Sequence, residues 1–356
     1  MKNRNSGIDL VKVIASLFVV LLHSLIISDF YTKEIGGPVY YLALILKITL
    51  YTCVPLFLIS TGYLMSKVKL TINYFKKIIK VLIIYFIITI IAILVIKLYI
   101  NPASSLKELI IGIFSFKTHG YSWYIEMYIG LFLLIPFINL IYNNLKDKQE
   151  KIILLIIMLL LTGIPTAVNM INIEGIQLIL LPDWWINLFP LTYYFIGCYI
   201  EEYNININKK ILLSILSLLI MFVAAYYYHY TKFTGFGNNI VFSNSSLSVI
   251  VISTIVFLIL YDYKFNSNKI NIVLAKISNV TLSIYLFSYI FDIIVQHLNI
   301  PILYAHKYSI FITMFTVSPL IYIFSTICAL ILNFILGLSK QKEKINISIR
   351  NHTKIS

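Results

Sequence analysis

Three ionisable side chains, Asp9, Lys12 and His23, lie within one apolar stretch near the start of the chain, IDLVKVIASLFVVLLH (8–23). Lys12 and His23 are eleven residues apart, almost three helical turns, so they share one face about 16 Å apart along the axis. Asp9 precedes Lys12 by three residues and can pair with it on the same face. An imidazole can take and return a proton near neutral pH. This arrangement favours chemistry on an anionic ligand, although a membrane histidine can also serve only as a polar bridge between helices.

A second basic feature is the stretch YFKKIIKVLIIY (74–85), in which Lys77 and Lys80 are three residues apart. That spacing places both ammonium groups on one helix face. One interpretation is anchoring of a membrane helix at its cytoplasmic end. The other is binding of the phosphates of an anionic ligand.

A third cluster is Ser122, Trp123 and Glu126 in THGYSWYIEMYIG (118–130). Ser122 and Glu126 are four residues apart and share a helix face. Trp123 can be an interfacial belt residue. A carboxylate at the position of Glu126 needs a partner or water, so the cluster could line a tunnel or orient an acceptor substrate.

The remaining ionisable residue inside an apolar run is Asp292, in SYIFDIIVQHL (288–298). A buried carboxylate in a membrane requires a partner, and a neighbouring helix could supply one. The other histidines fall at the outer ends of apolar runs, and we interpret them as mainly interfacial: His119, His229, His297 and His306.

The elements that must position these residues are transmembrane helices. The chain is 60% hydrophobic, only 12% of it is charged, and its mean hydropathy is +0.91. A soluble domain has about 25% charged residues, whereas apolar runs of about 20 residues span a bilayer. The sequence therefore predicts an all-α polytopic membrane protein with about ten transmembrane helices. The predicted spans are 7–28, 38–65, 78–100, 121–143, 151–169, 184–200, 211–229, 245–262, 277–298 and 308–338, with a re-entrant or interfacial helix at 105–116.

The basic residues orient these spans. The net charge is +14, which in a soluble protein could indicate nucleic acid binding, but here the lysines and arginines cluster at helix ends. With the N-terminus in the cytoplasm, twenty basic residues fall in the inside loops and five in the outside loops, as the positive-inside rule requires. Both termini are therefore predicted to be cytoplasmic, with one transmembrane domain at 1–338 and a short basic tail at 339–356.

We interpret the three cysteines as core residues and predict no metal site.

These residues occur in an order that resembles the acyltransferase-three family of integral membrane O-acyltransferases. The family motif of an acidic residue, arginine and histidine in the first helix is matched by Asp9, Lys12 and His23, with lysine in place of arginine. Its Arg-x-x-Arg pair is matched by Lys77 and Lys80. Further matches are the runs VPLFLISTGYLM (54–65), SWYIEMYIGLFLLIPF (122–137) and ISNVTLSIYLFSYI (277–290). The late family motif usually ends in histidine, whereas Phe287 and Ser288 occupy that region here.

The resemblance implies transfer of an acyl group, acetyl above all, from a cytoplasmic coenzyme A thioester to a hydroxyl of a cell-envelope or capsular polysaccharide or its lipid-linked precursor. The implied location is a bacterial cytoplasmic membrane. Lys77, Lys80 and Lys12 would hold the donor phosphates, and Asp9 and Lys12 would support catalysis by His23. His23 would act as a general base or carry the acyl group covalently.

The main alternative is a transporter or flippase for a lipid-linked saccharide. In such a protein the buried Lys12, His23, Glu126 and Asp292 would form a substrate or proton path. The chain lacks the repeated half that many transporters contain, which favours the acyltransferase.

Overall fold

The computed structural model describes residues 4–32, 36–169, 172–173, 176–234, 243–303 and 308–337. The predicted basic tail at 339–356 and His306 lie outside the described residues. Sixteen α-helices occur in the described part of the chain. They are α1 (Ser6–Ile27), α2 (Gly37–Leu50), α3 (Cys53–Met65), α4 (Ile72–Phe75), α5 (Ile78–Val95), α6 (Leu106–Phe114), α7 (Trp123–Asn144), α8 (Lys148–Leu161), α9 (Gly163–Val168), α10 (Phe189–Tyr203), α11 (Lys209–Thr234), α12 (Leu247–Leu260), α13 (Asn268–Ser278), α14 (Thr281–Leu298), α15 (Ser309–Ile312) and α16 (Ser318–Ile335).

Short elements connect or extend these helices. Two π-helical segments, Ile96–Ile100 and Thr313–Val317, continue α5 and join α15 to α16. Single 3₁₀ turns lie at Phe30–Thr32, Ile186–Leu188 and Pro301–Leu303. One antiparallel pair of two-residue strands, Asn172–Ile173 and Ile176–Gln177, forms the β-structure of the described residues. The all-α prediction is therefore confirmed.

Eight helical segments of the described residues are long and apolar enough to cross a membrane. They are Ser6–Ile27, Gly37–Met65, Ile72–Ile100, Trp123–Asn144, Lys148–Val168, Lys209–Lys232, Thr281–Leu298 and Ser309–Ile335. They overlap eight of the ten predicted spans. The other two predictions fall on shorter helices, α10 and α12. The chain is thus a polytopic membrane protein, while the count of ten and the sidedness of the termini stay predictions.

Large apolar side chains cover the outside of this bundle, as lipid contact requires. Leu98 is 78% exposed and Phe334 is 84% exposed. The predicted interfacial segment at 105–116 contains α6, a helix of nine residues that is too short to span a bilayer.

Helix α1 packs against several other helices, with contacts to α3, α13, α14 and α16. Its N-terminus is capped by Asn5, whose side-chain oxygen accepts from the backbone N–H groups of Gly7 and Ile8. Such a cap satisfies donors that a helix leaves unpaired at its start. The residues along α1 therefore face several helices at once, and its polar side chains must find partners among them.

Helices α3 and α10 pack in close contact through two glycines. A Cβ atom at Gly62 would lie 2.0 Å from the carbonyl oxygen of Tyr194, and one at Gly197 would lie 2.2 Å from the carbonyl oxygen of Ile59. Small residues at such contacts let membrane helices approach closely. This explains why the run VPLFLISTGYLM contains glycine at position 62.

Candidate active site

His23 and Asp292 lie together inside the bundle. His23 is on α1 and Asp292 is on α14, and His23 Nδ1 lies 3.7 Å from Asp292 Oδ2. The side chains are 14% and 1% exposed. Neither His23 Nδ1 nor Asp292 Oδ1 has a hydrogen-bond partner within the described part of the chain. The separation exceeds a normal hydrogen bond, but catalytic contacts often shorten when substrate binds. The pair can therefore act as a base and the carboxylate that orients it.

Two tyrosines complete this cluster. The ring of Tyr121 stacks on His23, with centroids 3.8 Å apart and planes at 24°. The Tyr121 hydroxyl donates to Asp292 Oδ2 over 2.5 Å. Tyr285 donates from its hydroxyl to the backbone carbonyl of Tyr121 over 2.7 Å, and its ring centroid lies 6.4 Å from that of His23. Tyr121 precedes the span that begins at Trp123, and burial, with Asp292 adding to it, holds its pKa above the ordinary value. The phenol therefore remains a hydrogen-bond donor.

His119 is buried beside this cluster, so its interpretation as an interfacial residue is wrong. It is 0% exposed, and its Nε2 lies 3.0 Å from the carbonyl oxygen of Leu286. Its Nδ1 accepts from the backbone N–H of Tyr121 over 3.3 Å. One neutral tautomer, with the proton on Nε2, satisfies both contacts. Burial lowers the pKa of His119 to about 4, which keeps this imidazole neutral. Because both nitrogens are engaged, His119 is a structural residue, in contrast to His23.

The residues of the predicted tunnel cluster, Ser122, Trp123 and Glu126, are not among those that line the cavity between α1, α3, α5, α7 and α14. Ser122 is fully buried, and its hydroxyl bonds to the carbonyls of Phe116 and His119, which fixes the turn before α7. Trp123 and Glu126 are exposed. The helical phase of α7 explains the difference, because Tyr124 and Tyr128, four residues apart on another face, line the cavity instead.

The close ion-pair partner of Asp9 is Arg4, whereas the residue spacing pointed to Lys12. Arg4 donates to both carboxylate oxygens of Asp9, with Nη2 2.6 Å from Oδ1. Lys12 instead donates to the carbonyl oxygen of Ser278 over 2.8 Å. Arg4 precedes the first turn of α1 and Asp9 lies in that turn. The planar guanidinium can therefore extend along the start of the helix and form two parallel hydrogen bonds to the carboxylate. Asp9 is thus part of an ion pair at the start of α1, one that lies apart from His23.

Arg4 and Lys12 have a shared structural role at the end of α13. Arg4 Nη2 also donates to the carbonyl of Ala275 and to the side chain of Asn279. The last carbonyls of a helix lack intrahelical partners, and cations satisfy them well. Lys12 therefore both stabilises the α13 terminus, through Ser278, and faces a cavity.

That cavity has a volume of about 220 Å³ and lies among α1, α3, α5, α7 and α14. Most of its walls are apolar or aromatic. Its lining includes Lys12, Val19, Val54, Phe57, Ser60, Thr61, Leu64, Met65, Val81, Tyr124, Tyr128, Thr281, Leu282 and Tyr285. Along α1 it extends from Lys12 to Val19, about 10 Å, and His23 follows one turn later.

Two features of this cavity concern a polar group in its wall and its nearness to His23. The hydroxyl of Ser60 is buried and has no hydrogen-bond partner among the described residues. A buried hydroxyl without a partner costs free energy unless a ligand or water satisfies it. Tyr285 lines the cavity and also approaches His23, so the cavity and the histidine cluster share a wall.

Lys77 and Lys80 lie at the start of α5. Lys77 is exposed and Lys80 is half-buried. The next residue, Val81, belongs to the cavity wall. Both lysines are therefore close in sequence to the cavity without lining it.

Sequence reasoning missed most of the residues around His23. It identified Asp292 as a carboxylate in need of a partner but did not connect it with His23, and it did not select Tyr121 or Tyr285. The available signal was the tyrosine content of the segments 118–130 and 277–290, which contain Tyr121, Tyr124, Tyr128, Tyr285 and Tyr289. Helical spacing cannot show which of several tyrosines on different helices will meet.

Comparison with known proteins places this geometry in a family. Searches of curated proteins and of solved structures return no match to the chain. A family model described as an acyltransferase domain matches residues 5–338. The match includes the histidine cluster, the cavity and every described helix, so the chain belongs to the acyltransferase-three family of membrane acyltransferases.

Proposed function

We propose that the chain transfers an acyl group, acetyl above all, from a coenzyme A thioester to a hydroxyl of a cell-envelope or capsular polysaccharide or its lipid-linked precursor, in a bacterial cytoplasmic membrane. The observation that carries this proposal is the His23–Asp292 pair next to a cavity that extends toward Lys12. Family membership supplies the reaction class. The donor and the acceptor are those that the family resemblance implies.

The cavity suits the donor. A coenzyme A thioester combines an anionic phosphate end with a long arm that has apolar and amide groups. The apolar walls would surround that arm, and the unpartnered Ser60 hydroxyl could bond to one of its amides. Lys12 faces the cavity, and Lys77 and Lys80 lie at the start of α5 beside its wall. Ammonium groups bind phosphate as point charges and need no fixed geometry.

The reaction requires a base for the acceptor hydroxyl. His23 would take the hydroxyl proton as the oxygen attacks the thioester carbonyl carbon, and Asp292 would stabilise the imidazolium that results. The carbon–sulfur bond then breaks, and the coenzyme A thiolate takes the proton from His23. In a second form of the reaction His23 attacks the thioester carbonyl first, and the carbon–sulfur bond breaks to release the coenzyme A thiolate. The acceptor hydroxyl then attacks the acyl-imidazole, the acyl–nitrogen bond breaks to free His23, and the hydroxyl proton passes to the thiolate.

Acetylation of envelope polysaccharide tests the proposal. Cells would express wild type, His23→Ala, His297→Ala or no protein, and O-acetyl groups would be counted by NMR. His297 is a matched control because it lies at the exposed end of α14. We expect O-acetyl signals with wild type and His297→Ala, and none with His23→Ala at equal membrane abundance.

A second measurement separates the acyltransferase from the rival flippase. Membranes from the same four cell samples would receive radiolabelled acetyl-CoA, and the release of free coenzyme A would be measured. A flippase would change the amount of surface polysaccharide without consuming acetyl-CoA, and that outcome would overturn the proposal. A burst of acyl-enzyme that disappears in His23→Ala would select the covalent form.

A further inference from the structure

Tyr121 contacts both members of the candidate catalytic pair. Its ring stacks on the imidazole of His23 at 3.8 Å, and its hydroxyl donates to Asp292 Oδ2 over 2.5 Å. The same carboxylate oxygen faces His23 Nδ1 at 3.7 Å. The three side chains therefore form a closed triangle, in which Tyr121 determines how the imidazole plane and the carboxylate oxygen lie relative to each other.

Tyr121 is itself held by contacts that originate on α14. The Tyr285 hydroxyl donates to the backbone carbonyl of Tyr121, and the backbone N–H of Tyr121 donates to His119 Nδ1. His119 in turn bonds to the carbonyl of Leu286. Asp292 follows Tyr285 by seven residues, two helical turns, so both project from one face of α14. A single helix thus supplies the carboxylate and the anchors of the tyrosine that reaches across to α1.

These contacts leave His23 and Asp292 without a hydrogen bond between them. Asp292 Oδ1 and His23 Nδ1 have no partner among the described residues, although both are buried. A histidine ring without a hydrogen bond on Nδ1 would rotate unless packing prevented it. The stacked phenol ring supplies that packing, and its hydroxyl prevents rotation of the carboxylate. The imidazole can then meet Asp292 with little reorganisation, which is the condition for efficient proton transfer.

We propose that Tyr121 is a positioning residue that orients His23 and Asp292 for acyl transfer. The inference rests on the proposed function for its kinetic test and stands on geometry for its chemical test. Tyr121 does not touch the acyl group in this arrangement. It acts through the two side chains that handle the proton.

Two substitutions separate the hydroxyl from the ring. Tyr121→Phe keeps the stacked ring and removes the hydrogen bond to Asp292, and Tyr121→Leu removes both. We expect Tyr121→Phe to lower kcat by about tenfold, the effect of one hydrogen bond to a charged group, with both KM values unchanged. Tyr121→Leu should lower kcat by a further order of magnitude or so, because the imidazole loses its stacking partner. Tyr226→Phe, on an exposed tyrosine of α11, is the matched control and should be silent.

A double-mutant cycle shows whether Tyr121 acts through Asp292. In an Asp292→Asn background, Tyr121→Phe should cost less than about twofold, because coupled residues are non-additive. A full tenfold loss in that background would overturn the inference. So would a Tyr121→Phe enzyme with wild-type kcat. A lower melting temperature with unchanged kcat per folded molecule would show a structural role only.

A chemical readout needs no acyl transfer. Diethyl pyrocarbonate modifies free imidazole nitrogens, and mass spectrometry would give the modification rate of His23 in each variant. We expect at least a severalfold faster rate in Tyr121→Leu than in wild type or Tyr226→Phe. If wild type fails to acetylate but this rate rises, the proposed function fails while the positioning contact stands. An unchanged rate would contradict the contact itself.

Discussion

His23 on α1 and Asp292 on α14 approach to 3.7 Å between Nδ1 and Oδ2, with both side chains buried. They come from opposite ends of the chain and meet because α1 packs directly against α14. A buried carboxylate in a membrane bundle needs a partner. Here the histidine and the Tyr121 hydroxyl supply it.

Replacing Asp292 with asparagine should reduce turnover while the fold is retained. The amide keeps the shape of the carboxylate but cannot stabilise an imidazolium, so we expect kcat to fall by about 10²-fold or more. Acetyl-CoA consumption by membranes containing equal amounts of protein measures this. Asp183→Asn, at an exposed acid, is the control. An Asp292→Asn enzyme with wild-type turnover would remove Asp292 from the mechanism.

Replacing Lys12 should affect donor binding. Lys12→Met removes the ammonium group from the cavity and from the carbonyl of Ser278, so we expect the donor KM to rise by about tenfold. Lys12→Arg keeps a cation at this position and should retain most of the donor affinity. Lys210→Met, at an exposed lysine of α11, is the control. The role in donor binding would be refuted by a large fall in kcat with an unchanged donor KM.

Asp9 should matter for stability rather than for chemistry. Asp9→Asn weakens two hydrogen bonds to the Arg4 guanidinium, and we expect a loss of about 1–3 kcal/mol in the free energy of unfolding. Turnover per folded molecule should stay close to wild type. Thermal unfolding in detergent and acetyl-CoA consumption measure the two quantities. Arg4→Ala should lower the free energy of unfolding by a similar amount. The double variant should be little less stable than either single variant. A stable Asp9→Asn protein with lost turnover would restore Asp9 to the catalytic site.

The α3–α10 contact should not tolerate a larger residue at position 62. Gly62→Ala places a methyl group 2.0 Å from the backbone carbonyl of Tyr194, and a backbone atom cannot move aside as a side-chain end could. We expect about 1–3 kcal/mol of destabilisation, measured as a lower melting temperature in detergent. Gly130→Ala is the matched control, since nothing lies within 4 Å of its Cβ position. Equal melting temperatures for the two variants would contradict the packing described.

The predicted orientation can be tested by labelling single cysteines. The native cysteines Cys53 and Cys198 are buried and Cys328 is half-buried, so their background reactivity should be low. A cysteine at Lys67 should react with a membrane-impermeant maleimide only after cells are opened, and one at Lys117 should react in intact cells. The reverse pattern would place the basic loops outside and invert the topology.

Sequence pattern alone predicted the architecture of this protein well. Long apolar runs require helices in lipid, because each backbone polar group must find its partner within the segment. The eight long spans follow from this local rule, as does the short helix α6. The family resemblance rested on Asp9, Lys12, His23 and later runs in a fixed order, and the family match confirms it.

Residue spacing along the sequence could not predict which partner each side chain contacts. The i, i+3 rule paired Asp9 with Lys12, yet Arg4 outside the helix bonds Asp9 more effectively because its planar fork reaches both oxygens. The same rule grouped Ser122 with Glu126, whereas the phase of α7 turns Tyr124 and Tyr128 toward the cavity. Local periodicity assigns residues to a common face without saying which neighbour that face meets.

The sequence by itself determined that this chain is a helical membrane protein with a buried histidine in its first helix, because hydropathy and helical period are local properties. Only the tertiary structure decided that Asp292, Tyr121 and Tyr285 surround that histidine, and that His119 is engaged on both nitrogens. The physical reason is that the contacts between α1, α14 and the turn before α7 depend on how whole helices pack. Packing is set by the sum of many weak interactions over the bundle, and no single segment encodes it.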